Sequence, residues 1–140
     1  MNIRTVTITV PASRDDVFNF LAQIENLPLW ATEFAERVYL KDGRWRAATS
    51  LGELFVAIDA DAGTGVIDLR AGPTPEQMGL FPLRVVARPG GAAASFTFFQ
   101  SPGLPDELDE RQYASLLVEM RGLVARFGGG ELHAAPAAGE

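Results

Sequence analysis

The sequence predicts an α+β domain: a curved antiparallel sheet of about seven strands wrapped around one long C-terminal helix, with two short helices after the first strand. Three observations carry this expectation. The stretch "VTITVPASRDDVFNFLAQIENLPLW" (6–30) changes from a two-residue to a helical hydrophobic period partway along. Residues 37–99 alternate around repeated turn signals, and residues 105–127 hold one continuous apolar stripe at helical spacing.

The first strand is expected from about Ile3 to Val10, with Val6, Ile8 and Val10 on a buried face and Thr5, Thr7 and Thr9 on a wet one. Pro11 ends it, having no N–H to give the ladder. Ser13 then caps a helix reaching about Gln23, with Asp16 at the capping-box position and Asp15 and Asp16 at the positive end of the helix dipole. "NLPLW" predicts a second, very short helix that tolerates Pro28 in its first turn.

Hairpins follow. Asp42-Gly43 is a two-residue turn signal that sets Lys41 opposite Arg44, Leu40 opposite Trp45 and Val38 opposite Ala47. That register gathers Val38, Leu40, Trp45, Ala47 and Thr49 on one face and Arg37, Tyr39, Lys41, Arg44 and Arg46 on the other. Two more strands flank a turn near Ala62-Gly63, "GPTPEQMG" reads as a loop, and a last pair flanks Gly90-Gly91. Around those glycines Phe81, Leu83, Val85, Ala87, Phe96 and Phe98 share one face, opposite Arg84, Arg88, Ser95 and Thr97. Phe99 points outward, either as a self-association surface or as a lone surface ring.

The long helix is expected from about Pro105 to Phe127. Pro105 suits its first turn, and Asp106 and Glu107 suit its dipole. Tyr113, Leu116, Leu117, Met120, Leu123, Val124 and Phe127 form the stripe, while Glu119 falls off it and is expected in solvent. Gly128 stops the helix. Residues 1–127 thus make a single domain, and 128–140 read as a flexible C-terminal tail.

Composition narrows the function. With 47% hydrophobic and 21% charged residues the chain reads as globular. A formal charge of −6, with no Lys/Arg stripe along the sequence, argues against nucleic acid as a partner. There is no cysteine, and the one histidine, His133, lies in the tail. Disulfides, thiolate chemistry, a Ser-His-Asp triad and a metal site therefore find no residues, and no cofactor is expected. "RPGGAAAS" is a hairpin turn rather than a phosphate loop. The start "MNIRTVTITV" lacks a signal peptide's apolar run and no stretch could span a bilayer, so the expectation is a cytoplasmic protein without stable membrane insertion.

This element order, with "VTITVPASRDDVFNFLAQIENLPLW" and "SPGLPDELDERQYASLLVEMRGLVARF", resembles the START/SRPBCC or helix-grip superfamily over roughly residues 3–127, most closely its small bacterial polyketide cyclase/dehydrase-like proteins. The resemblance implies a cavity between curved sheet and long helix that holds apolar or amphipathic small molecules, as in lipid carriers and aromatase/cyclases. Close relatives in that group often carry Asp-His where this chain has Asp68-Leu69, so any chemistry of that histidine is missing here.

The candidate ligand-binding residues are Trp30, Phe34, Trp45, Phe81, Phe96, Phe98, Tyr113, Leu116 and Met120. For any single ring, plain core packing is the simpler account; together they suit a wall around space left between a curved sheet and one helix. No catalytic residue is assigned. Asp68 and Arg84 fall on the solvent face, and Tyr113 packs its ring on the sheet or turns its hydroxyl to a bound group. The inner face is expected to hold almost no titratable group. The leading expectation is therefore a binding protein for a small hydrophobic or amphipathic ligand, aromatic and polyketide-like or lipid-like. The alternative is a polyketide cyclase or dehydratase using one acid/base group, with Asp68, Tyr113 or Arg84 as the suggestions. A third reading is a homodimer formed through a sheet edge or the Phe99 face.

Overall fold

β-Branched residues at every position but Arg4 make β1 (Ile3–Val10), in which Val6, Ile8 and Val10 are buried. Pro11 ends it, and the Ser13 hydroxyl accepts the Asp16 N–H at 3.1 Å to start α1 (Arg14–Leu21), which ends two residues before the expected Gln23. A 3₁₀ turn at Ile24–Asn26 runs into α2 (Leu27–Trp30), with Pro28 in its first turn. The computed structural model describes residues 1–137.

The strands that follow are β2 (Arg37–Lys41), β3 (Arg44–Thr49), β4 (Gly52–Asp61), β5 (Val66–Thr74), β6 (Gln77–Arg88) and β7 (Gly91–Phe99). β2 and β3 pair in the expected register, with Asp42 and Gly43 both at positive φ (55° and 75°), the backbone a tight hairpin turn demands. The "GPTPEQMG" stretch is mostly strand rather than loop: β5 extends to Thr74, and a register shift between Ala71 and Thr74 takes up Pro73. A bulge lets a proline sit in a ladder to which it cannot donate, and sequence punctuation alone does not reveal this.

The tail also departs from expectation. After α3 (Asp106–Arg126), residues Glu131–His133 form β8, which pairs with β1. Gly130 lies at φ 139°, and a Cβ there would sit 1.9 Å from the Thr9 carbonyl oxygen, so only glycine lets the chain approach β1 this closely. Ala137 is buried as well; of the expected flexible tail, residues 138–140 lie outside the described residues. The described strands make one antiparallel eight-stranded sheet in the order β2-β3-β4-β5-β6-β7-β1-β8, one more than expected. Its inner face carries Val6, Ile8, Val56, Ile67, Leu69, Leu83, Val85, Ala94 and Phe96, all buried.

α3 closes that face with Tyr113, Leu116, Leu117, Met120 and Leu123, none more than 4% exposed. Its first turns are tied to β1 by a polar clamp. Arg4, on the inner face of β1, donates to Asp109 Oδ2 at 2.8 Å and pairs with Glu110, while its guanidinium stacks 4.5 Å from the Tyr113 ring centre. Asn2 Nδ2 donates to the same Asp109 oxygen at 3.0 Å, and Gln100 links Leu104 and Asp106 to the Asn2 backbone. The helix is therefore fixed in position at its N-terminal end. No helix among the described residues is long and apolar enough to cross a membrane.

Candidate functional site

The nine residues expected to wall a cavity do come together, chiefly as packing. Ring centres run from Trp30 to Phe96 (6.0 Å), Phe96 to Phe81 (6.2 Å), Phe81 to Phe98 (6.5 Å) and Phe98 to Tyr113 (6.4 Å). Leu116 and Met120 are buried against the same core, and Phe34 packs at its edge. Phe98 and Tyr113 bring one ring from the sheet and one from α3 together across the space expected between them. Two concavities among the described residues lie elsewhere. Trp30 lines one and Trp45 the other; the remaining seven candidates line neither.

The larger concavity is an open cleft of about 470 Å³ between α2 and the C-terminal half of α3, lined by Leu29, Trp30, Thr32, Glu119, Gly122, Leu123, Ala125 and Arg126. Its volume lies inside the range typical of small-molecule sites, roughly 300–1,000 Å³. The other, about 260 Å³ beside Trp45, Val56, Ile58 and Met78, falls below it. In the first cleft Leu29 is half exposed, Trp30 and Leu123 are buried, and Gly122 contributes no side chain: a Cβ there would meet no atom within 4 Å.

Glu119 gives the cleft its chemistry, and its placement corrects the expectation that it is solvated. It is 7% exposed. One carboxylate oxygen accepts the backbone N–H groups of Glu33 and Phe34, each at 3.1 Å, which pins the 31–35 turn to α3. Burial pushes its pKa up to about 7; the two backbone donors pull the other way, and the Glu33 charge adds to the rise. No cation approaches it within ion-pairing distance among the described residues. A carboxyl in this state is both donor and acceptor near neutral pH. The Trp30 indole Nε1, also buried, donates to no acceptor among the described residues. Arg126 stacks on Phe20, 4.7 Å from the ring centre, and is otherwise exposed at the cleft rim.

The suggested acid/base groups stand outside this cleft. Asp68 is half-buried on the outer face of the sheet, opposite Asp59 and Pro82, and Arg84 is exposed on that face. The Tyr113 hydroxyl donates to the Ala135 carbonyl of the tail, and its ring is buried. Nor is the inner side free of titratable groups: Arg4, Asp109 and Glu119 are all there. Arg4 is held above its ordinary pKa, since burial works against its charge but hydrogen bonding and attraction from Asp109 and Glu110 outweigh it. Phe99 is 40% exposed beside its cross-strand neighbour Ile3, as an outward-facing ring should be.

Comparison with known proteins decides the fold. No family model and no curated protein matches the sequence. Among solved structures, XoxI from Bacillus cereus aligns at a TM-score of 0.69 with 13% identity, over 91% of this chain and 96% of that one. A START superfamily protein from Mycobacterium smegmatis aligns at 0.67 with 15% identity, over 89% and 96%. This chain has the helix-grip fold of the START superfamily. A third helix-grip neighbour, the Aha1 dimer from Colwellia psychrerythraea, aligns at 0.63 with 14% identity, over 92% and 98%. At these identities the likeness is one of backbone arrangement, and the chemistry must be argued from this chain's own cleft.

Proposed function

We propose that this protein binds a small, largely apolar molecule in the cleft between α2 and α3, with Leu29, Trp30 and Leu123 as the apolar wall and Glu119 as the polar anchor. One observation carries the reading: a cleft of ligand size, about 470 Å³, contains a buried carboxyl with no cationic partner among the described residues. Buried carboxylates that serve only stability are ordinarily paired, so an unpaired one beside open space points to a function. The position differs from the sheet–helix interior that the superfamily resemblance implies, while the class of ligand, aromatic or lipid-like, is the same.

Gly122→Leu tests this directly. Leucine favours helix and its Cβ would meet no atom within 4 Å at this exposed position, while the rest of its side chain would occupy cleft space. A fluorescent anilinonaphthalene probe should bind the native protein saturably at one site and bind the variant at least tenfold more weakly, with thermal unfolding unchanged or raised. Equal binding by both proteins would reject the cleft.

The state of Glu119 favours one second reading, a cyclase or dehydratase that uses it as the single acid/base group. A pKa of about 7 populates both protonation states where a general acid–base catalyst works best. Turnover of poly-β-ketone or β-hydroxy thioester substrates that falls by roughly 10²–10⁴ in Glu119→Gln would support it.

A further inference from the structure

The groups that line the cleft are unevenly matched. Its charged donor is the Arg126 guanidinium, which has no carboxylate within 4.0 Å among the described residues. Its one carboxyl, Glu119, already receives two backbone N–H groups on one oxygen. An uncommitted cation beside an apolar wall forms a half-site for an anion, within a chain whose formal charge is −6. We infer that the cleft selects a monoanionic amphiphile, an aromatic or acyl carboxylate, whose head is held by Arg126 while its body lies against Leu29 and Leu123. This inference rests on the proposed cleft and names the ligand class for it.

Arg126 suits the task. Stacked on Phe20, its guanidinium is positioned in advance, and its planar fork matches a carboxylate in two hydrogen bonds. The charged group acting on Glu119 is Glu33 on the 31–35 turn; Arg126, seven residues further along α3, lines the same cleft, α2 carries no charge, and no other lining residue is charged. With Glu119 neutral the cleft lining holds one positive charge. With Glu119 ionised that charge is cancelled, so an incoming carboxylate favours the protonated form and its binding takes up a proton above neutral pH.

The test is titration calorimetry with three matched probes, 2-naphthoate, 2-naphthylmethanol and 2-naphthylmethylammonium. Naphthoate should bind most tightly, by roughly tenfold over the alcohol as expected of a charge-assisted pair, and the ammonium compound least. Arg126→Gln should erase the advantage of naphthoate without weakening the alcohol. Between pH 6 and 8.5 naphthoate should lose about tenfold in affinity to the native protein and nothing to Glu119→Gln. Equal binding of all three probes, or preference for the ammonium compound, overturns the ligand class while leaving the cleft in place. Binding of any probe that Gly122→Leu leaves intact overturns the cleft itself, and failure of all three to bind overturns both.

Discussion

α3 buries two carboxylates, and its two ends treat them differently. Asp109, fully buried near the N-terminal end, receives the Arg4 guanidinium at 2.8 Å and Asn2 at 3.0 Å, inside a clamp that also engages Glu110, Gln100 and the Tyr113 ring. Glu119, further along the same helix, has only two backbone donors and faces an open cleft. The first arrangement answers buried charge with opposite charge. The second answers it by raising the pKa, which makes the group a proton carrier instead of a fixed anion. One half of the helix holds the fold together, and the other is available for chemistry.

Breaking the clamp should have the largest effect. Arg4→Met keeps the stem over Tyr113 but strands the Asp109 charge with Asn2, a loss expected to cost about 3–5 kcal/mol in chemical unfolding. A cost below about 1 kcal/mol would mean that the clamp does not hold α3 to β1. The cleft end should instead show itself through pH. Glu119 titrates higher in the folded chain than its ordinary 4.5, so its stabilising contribution is complete below about pH 4.5 and is lost as pH rises through about 7. Across that window the native protein should lose about 3 kcal/mol relative to Glu119→Gln, by the free energy of a pKa change of this size. Urea unfolding at pH 5 and 8.5 reads the difference, and parallel losses in both proteins would remove Glu119 from its role.

The contrast between the two carboxylates was hidden in a sequence that otherwise displayed its fold clearly. Asp42-Gly43 set the β2–β3 register, and the Tyr113-to-Leu123 stripe placed α3, because both signals are local and periodic. Glu119 was expected in solvent because the stripe passes beside it. Yet it lies three residues after Leu116 and four before Leu123, on the rim of that stripe, where α2 and the 31–35 turn cover it. Asp109, four residues before Tyr113, lies on the rim in the same way. Rim positions carry a signal, but which neighbour covers them depends on long-range packing that periodicity does not encode. Alternation likewise places rings on a face but does not say which of them meets a ring from the opposite layer, as Phe98 meets Tyr113. The tail failed on composition. Gly128, Gly129 and Gly130 resemble a flexible linker, yet they turn the chain back onto β1.

A smaller effect joins the clamp to that tail. Tyr113 stacks on Arg4 and donates its hydroxyl to Ala135, so Tyr113→Phe should cost about 1 kcal/mol, the usual worth of one hydrogen bond. If the bond anchors the segment after β8, amide exchange at Leu132 and His133 should quicken more than elsewhere in the sheet. A uniform change across the sheet would place the loss in the core.

The smallest expected change carries the opposite sign. Gly122 is the only glycine in α3, it sits at the cleft, and a Cβ there has open space. Glycine within a helix costs roughly 0.5–1 kcal/mol relative to alanine, so Gly122→Ala should stabilise the protein by that amount. The clamped half of α3 contains no comparable concession, since Asp106 to Leu117 includes no glycine. The proposed ligand gives a reason for this helix to forgo stability only where a side chain would narrow the cleft. If alanine instead destabilises, Gly122 is needed by the backbone and says nothing about the cleft. If alanine stabilises and also weakens the naphthyl probe by less than leucine does, the two variants together measure how closely the ligand approaches the helix.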